Sequence, residues 1–271
     1  MVDFQLDEMQ QMLRELAHEF AVDEIRPNAE HWDINSEYPK NAINSAHEMG
    51  LLNLHISEDY GGPGLGIMEE VLVNEELAWG DPGFATAAYA TSLACAPVIT
   101  GATHEQKDKY LRMVAEEGAL ASYAITEPGA GSDVAACKTL AVRDGDDYVI
   151  EGTKWFITGA EGAAHFIVMA RTSEDTRRGH TAFLFHRDDP GWEIIRRIPI
   201  MGPEEHGGHC ELKFNGLRIP KENILLEEGR GLKVIQTRLG PARLTHCMRW
   251  LGLAKRCVEI ASEYAVRREG F

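Results

Sequence analysis

Basic residues are scarce in this chain: 27 Lys and Arg stand against 43 Asp and Glu, a formal charge of -16 over 271 residues. That deficit excludes a general nucleic-acid binder, which needs a basic footprint. An anionic small molecule could bind only where Arg, Lys or backbone N–H groups gather locally. Cysteine is also sparse: Cys95, Cys137, Cys210, Cys247 and Cys257 are scattered with no C-x-x-C pair. A metal knuckle or disulfide framework is therefore not expected, and a reducing interior is the default compartment. No apolar run reads as long enough to cross a bilayer. The acidic start MVDFQLDEMQ carries neither a basic n-region nor an Arg-rich transit face. Internal repeats and low-complexity segments are missing as well. The hydrophobic fraction of 44% is ordinary for a soluble globular protein with a sizeable core.

The first 120 residues read as helical. Leu6, Met9, Leu13, Leu16 and Phe20 recur at three- and four-residue steps and form one apolar face. Asp7 followed by Gln10 has the spacing of a capping box, and Pro27 marks a stop or kink. A second helical run covers about 41–49 and closes at Gly50. The glycine-rich EDYGGPGLG predicts a loop, IMEEVLVNEELAWG resumes helical spacing, and THEQKDKYLRMVAEEG predicts a helix with Thr103 as N-cap and Gly118 as C-cap. Near residue 119 the period changes. ALASYAIT, TLAVRDGDDYVIEGTKWFIT, HFIVMAR, TAFLFHR, WEIIRRI and CELKFNGLRI read as short strands with polar turns between them, including an Asp-Gly hairpin signal. That punctuation predicts a β-barrel or sandwich. From about Gly231 the pattern is helical again to the end of the chain, with Gly240-Pro241 predicting a kink or break. The expected class is α+β: an α-helical N-terminal domain at 1–120, a β domain at 121–230, and the first helices of an incomplete helical domain at 231–271.

Two segments carry candidate chemistry. In YAITEPGAGSD (123–133), Gly129, Ala130 and Gly131 leave little side chain between a ligand and the backbone, so successive N–H groups can form an anion-binding nest. Thr126 and Ser132 add hydroxyl donors. The loop is not a Walker loop, because no Gly-Lys-Ser/Thr follows, and Val134 stands where a Rossmann fingerprint needs its third glycine. Read alone, it is equally a tight turn capped by Asp133. In GTKWFITGA (152–160), Trp155 and Phe156 are adjacent, so a regular strand points them to opposite faces, one to the core and one to a cleft. Read alone, both serve packing.

In order along the chain, EDYGGPGLG…EELAWGDPG, YAITEPGAGSD, KWFIT, IPIMGPEEHGGHCELKFNGLRIPKENIL and EYAVRREGF resemble the acyl-CoA dehydrogenase family over essentially the whole length. The resemblance implies a flavoenzyme with a helical N-terminal domain, a β-barrel middle domain and a C-terminal helical bundle. It implies FAD between the last two, acyl-CoA as substrate, an electron-transfer flavoprotein-like acceptor, and a homodimer or homotetramer. By the same carry-over Tyr123, Ile125 and Thr126 lie beside the flavin ring, and Gly131 and Ser132 face, respectively or jointly, the FAD pyrophosphate and the acyl-CoA. Phe156, where well-studied members carry Trp, covers the flavin. Ile157 and Thr158 match directly, and Arg268 reaches FAD across a subunit interface. The implied chemistry is α,β-dehydrogenation: a carboxylate takes the α-proton while the β-hydride passes to flavin N5. The compartment expected of such an enzyme is a bacterial cytoplasm, or a mitochondrial or peroxisomal matrix.

The pattern departs from the family at the base. One family position for the catalytic glutamate immediately precedes an arginine that matches Arg243, and here that residue is Ala242. The other lies beyond Phe271. The expectation is thus a fragment whose base lies elsewhere, with Arg243 facing substrate and no catalytic residue nominated. GP-x-R in place of Asp-x-x-R, together with HGGH, points to a long-chain-like subgroup and an unusual acyl group. An acyl-CoA oxidase or flavin monooxygenase on the same fold, and a flavin-free acyl-CoA-binding scaffold, remain open. Glu204, Glu205, His206, His209, Cys210 and Glu211 invite a metal reading, but the family context favours a substrate-facing loop. The pairs Arg177-Arg178 and Arg196-Arg197 read as solvated turn and strand charges.

Overall fold

A computed structural model describes residues 5–175, 178–199 and 208–270. Six helices come first: α1 (Glu8–Phe20), α2 (Ala29–Asn35), α3 (Lys40–Glu48), α4 (Ile67–Gly80), α5 (Pro82–Gly101) and α6 (His104–Glu117). Their ends follow local chemistry. Asp7 accepts from the Gln10 N–H at 2.8 Å, and the Asp7 N–H donates back to the Gln10 side chain, which completes the capping box. Thr103 and Gln106 repeat it at α6, whose C-cap Gly118 takes φ 65°. A π turn at Ala21–Ile25 ends α1 just before Pro27. The interval 29–35, unassigned by periodicity, forms α2, pinned by Trp32 stacked on Phe84 at 5.9 Å.

The strands are β1 (Leu120–Ala124), β2 (Leu140–Asp144), β3 (Asp147–Thr158), β4 (Ala163–Arg171), β5 (His180–His186), β6 (Trp192–Arg197) and β7 (His209–Pro220). They form one mixed sheet in the order β1-β4-β2-β3-β7-β6, with β5 antiparallel to β4. Phe166 on β4, Phe185 on β5, Phe214 on β7 and Trp192 on β6 meet at ring separations of 4.8–5.8 Å. The sheet therefore closes over its own apolar core in a barrel-like body, as the strand punctuation predicted. The Asp-Gly signal gives the β2–β3 hairpin, with Gly145 at φ 67°.

Three expectations are corrected here. α7 (Gly231–Arg267) runs unbroken through Pro241, because Val234 and Ile235 on one side of the proline and Ala242, Thr245 and Gly252 on the other are all buried. Tertiary packing outweighs the one backbone bond that proline removes. The same helix ends at Arg267, short of the chain end to which the pattern carried it, with Arg268 extended. Finally, α5 is long and apolar enough, by length and composition, to cross a membrane. Its faces instead pack against α4, α6, α7 and β1, as a central core helix does.

Candidate active site

The strands, α4, α5 and α7 enclose a cleft of about 400 Å³. Its sheet wall begins where β1 runs out at Ala124. The next residues leave the sheet as a tight turn, in which the Glu127 N–H donates to the Ala130 carbonyl (3.0 Å) and the Ala130 N–H donates to the Glu127 carbonyl (3.1 Å). A cross-link then fixes the turn to β3. Lys154, fully buried, donates to the Glu127 carboxylate at 2.9 Å and to the Ile125 carbonyl at 2.8 Å. Glu127 also accepts from the N–H groups of Lys138 (2.7 Å) and Thr139 (2.9 Å) and from the Cys137 thiol (2.7 Å). Burial alone would raise the Glu127 pKa, but the Lys154 charge and these hydrogen bonds outweigh it and hold it down to about 2. The Trp155 N–H donates to the Thr126 carbonyl at 2.7 Å, closing the seam.

β3 is irregular just after this lysine. Its pairing with β7 slips between Lys154 and Ile157, and Phe156 takes φ 55°. The bulge overturns the expectation that Trp155 and Phe156 point to opposite faces. Their rings lie 5.1 Å apart, with Phe156 44% exposed and lining the cleft. A non-glycine residue held at positive φ is a strained feature of the kind that clusters at functional sites. Thr158 follows, its hydroxyl 2.9 Å from His209 Nδ1, and burial keeps the His209 pKa below the usual histidine value.

Thus Tyr123, Ile125, Thr126, Phe156 and Thr158 converge on the cleft. The others do not. Ile157 sits in the sheet core, and Gly131 and Ser132 are exposed at the tip of the glycine loop. A Cβ added at Gly129 or Gly131 meets nothing within 4 Å, so the loop is open to an approaching group. Arg243 is exposed on α7, beside Ala242, which is 5% exposed and lines the cleft. Arg268 is exposed and donates to the Tyr264 hydroxyl at 2.8 Å. Met201, Gly202, Glu204, Glu205, His206, Arg177 and Phe271 lie outside the described residues.

Sequence reading passed over three features. Glu127 and Lys154 lay inside the quoted motifs, and the alternation Tyr148, Ile150, Gly152, Lys154 on β3 already put a lysine on the inward face, where a carboxylate has to meet it. Arg238 shares a helix face with Ala242, Thr245 and Arg249. Its guanidinium lies 5.0 Å over the Tyr123 ring, and its pKa is lowered by burial. Glu70 is the one carboxylate among the described residues that line the cleft.

Successive parts of the chain match the N-terminal (7–118), middle (122–217) and C-terminal (229–271) domain models of acyl-CoA dehydrogenases. The chain is 36% identical, over its whole length, to 67% of "Probable medium-chain specific acyl-CoA dehydrogenase 2, mitochondrial" of Caenorhabditis briggsae. It belongs to the acyl-CoA dehydrogenase family. Butyryl-CoA dehydrogenase from Megasphaera elsdenii superposes with a TM-score of 0.93 at 33% identity, covering all of this chain and 72% of that one. A solved structure described as the electron transferring flavoprotein of Acidaminococcus fermentans contains a chain that matches with the same TM-score at 34% identity, over all of this chain and 71% of its own length. The chain spans roughly two thirds of the length of such relatives. Family members are FAD-dependent oxidoreductases acting on CH–CH bonds. The cleft fits that cofactor. The Tyr123 hydroxyl and the Trp155 indole N–H are buried with no partner among the described residues. An aromatic face (Phe156) and two threonine hydroxyls lie along the same wall, and the glycine loop that follows this strand end is free of side-chain cover.

Proposed function

We propose that this chain forms the flavin- and thioester-binding portion of an acyl-CoA dehydrogenase that introduces a Cα=Cβ bond into an acyl-CoA. The reading is carried by one observation: the Tyr123–Thr126 strand end and the Phe156–Thr158 bulge meet α5 and α7 around a single cleft, where the buried Tyr123 hydroxyl has no partner among the described residues. The chemistry that bound FAD supplies is acceptance of the β-hydride. The chain's own residues bind, orient and exclude water. Phe156 offers a ring face. Thr126 and the Thr158–His209 pair offer hydroxyl donors at one edge, and the open turn offers the Gly129 and Gly131 N–H groups to phosphate oxygens. Arg238, a cation with no carboxylate partner among the described residues, puts positive charge beside Tyr123, where it would favour charge developing on a thioester oxygen. The apolar α5 face holds the acyl chain away from water.

Ala242 presents a methyl group where a carboxylate would take the α-proton. By the family resemblance, the base is then supplied from the family's other position, on helical surface outside the described cleft. The open apolar face of α7, where Trp250, Val258, Tyr264 and Val266 are 59–88% exposed, supports further packing against such surface. The proposal includes a homodimer or homotetramer and an electron-transferring flavoprotein as acceptor. An absorbance spectrum tests the reading. A flavin band should be present and should bleach anaerobically on adding an acyl-CoA. Flavin that binds but stays oxidised points to a base that is not in place, and a colourless protein that cannot be loaded with FAD refutes the proposal. Fast reoxidation in air with peroxide release identifies an oxidase instead.

A further inference from the structure

Part of the cleft wall is both polar and deeply buried. Glu70 and Asn74 lie one turn apart on α4 and both line the cleft, Glu70 at 5% exposure and Asn74 at 1%. The Asn74 amide is fixed by donation from its Nδ2 to the Thr245 carbonyl at 2.7 Å, which leaves its Oδ1 buried with no partner among the described residues. His55, from the loop after α3, brings Nδ1 within 3.5 Å of the Glu70 carboxylate. Both of its ring nitrogens are buried without a hydrogen bond among the described residues. The nearby Tyr89 hydroxyl is already engaged, donating to the Glu70 backbone carbonyl at 3.3 Å. The neighbouring wall is the apolar face of α5, Leu93, Ala96 and Ile99. An apolar acyl tail would want this part apolar too. Buried polar groups are normally partnered, and here the Asn74 Oδ1 and both His55 ring nitrogens lie beside the Glu70 carboxylate with no hydrogen bond among the described residues.

We propose that Glu70, His55 and Asn74 form a subsite for a hydroxyl group on the distal part of the acyl chain, so that the preferred substrates are hydroxyacyl-CoA thioesters. The inference deepens the acyl-CoA reading above and rests on it. A hydroxyl both donates and accepts, which is what this trio needs. Asn74 Oδ1 is a fixed acceptor, a neutral imidazole offers one N–H, and the carboxyl group of Glu70 takes either role with its proton on or off. Burial pushes the Glu70 pKa up to about 7 and the His55 pKa down to about 4, so the imidazole is uncharged near neutral pH and gives Glu70 no cation. A methyl end would leave the Asn74 Oδ1 and the His55 ring nitrogens without a hydrogen bond. This is the arrangement in which discrimination is strong: a site built to hydrogen-bond a hydroxyl rejects the analogue lacking it, whereas an apolar pocket barely distinguishes the two.

The test is calorimetric titration of the FAD-loaded protein with saturated CoA thioesters from four to twelve carbons, each paired with its terminal-hydroxyl counterpart. At the chain length that reaches the subsite, the hydroxylated thioester should bind at least about tenfold more tightly. Glu70→Leu should remove or reverse that preference while leaving the affinity for acetyl-CoA, which is too short to reach α4, within about twofold. Asn74→Leu gives a second route if the first variant misfolds, and it should weaken the preference in the same direction. Equal or tighter binding of the methyl-ended thioester at every length overturns the inference and leaves the acyl-CoA reading standing. If no thioester of either series binds, the acyl-CoA reading falls and the subsite with it.

Discussion

Replacing Lys154 with methionine keeps the volume of a fully buried side chain and removes one charge, so its effect isolates the cross-link behind the glycine loop. In the native protein the ammonium group meets the Glu127 carboxylate at 2.9 Å and the Ile125 carbonyl at 2.8 Å, while Cys137 and two backbone N–H groups occupy the rest of the carboxylate. In Lys154→Met those three donors stay and the compensating charge goes. Stranding one member of a buried ion pair costs about 3–5 kcal/mol, and the orphaned Ile125 carbonyl acts in the same direction. The expected loss is about 4 kcal/mol, read from urea denaturation followed by tryptophan fluorescence, with Trp155 next to the mutated position. Most of that cost is the unpaired charge. Adding Glu127→Gln to the same variant should therefore restore about 2 kcal/mol, because the new amide keeps an acceptor for Cys137 and Thr139 without a charge. The pH dependence gives a second check. The native Glu127 pKa lies below its unfolded value, so its stabilisation is full above about 4.5 and is lost as pH falls toward 2. Without Lys154 the largest lowering influence is gone, so the Glu127 pKa moves up and the variant loses less than wild type as pH falls below about 4.5. The gap between variant and wild type should narrow as pH falls from about 5 toward 2. A single variant within about 1 kcal/mol of wild type, or a double variant no more stable than the single one, would refute the reasoning.

Two further perturbations test other parts of the fold. Burial raises the Glu70 pKa from 4.5 to about 7, so the unfolded chain ionises first. Its destabilising effect is nil below about 4.5, grows as pH rises, and levels off above about 7 at roughly 3 kcal/mol. Glu70→Gln should show that advantage over wild type at pH 8 and none at pH 4 in paired urea curves, and a difference that does not vary with pH would sink the assignment. At the α4–α7 crossing, a Cβ on Gly252 would stand 2.2 Å from the Glu75 carbonyl and 2.8 Å from the Trp79 nitrogen. Gly252→Ala should therefore lower stability by about 2–3 kcal/mol despite alanine's better helix propensity, whereas a rise in melting temperature would show that the two helices can move apart freely.

Much of this architecture was written locally. The capping boxes at Asp7 and Thr103, the Gly118 C-cap and the Asp-Gly hairpin are interactions among residues a few positions apart, so the chain specifies them without knowing its neighbours. The apolar periods separated the helical segments from the strands for the same reason, and the ordered motifs identified the family. Tyr123, Ile125, Thr126, Phe156 and Thr158 were legible as one wall because they fall in two short segments that the sheet brings together.

What the tertiary structure alone decided is of another kind. Pro241 predicts a kink or break by local rules, and the break does not occur: α7 continues, because burial of residues on both sides of the proline outweighs one lost backbone bond. A regular strand separates Trp155 from Phe156, and the β3–β7 bulge that brings their rings to the same side depends on pairing with a strand more than fifty residues later. Arg243 and Ala242 are neighbours in sequence, but only packing shows that the alanine lines the cleft and the arginine faces solvent. Glu70 reads in sequence as one more acid in an acidic chain. The sequence set the residue types and the local conformations, while long-range contacts set which polar groups lost their water, and that loss of water is what turned Glu127, Lys154 and Glu70 into features of the site.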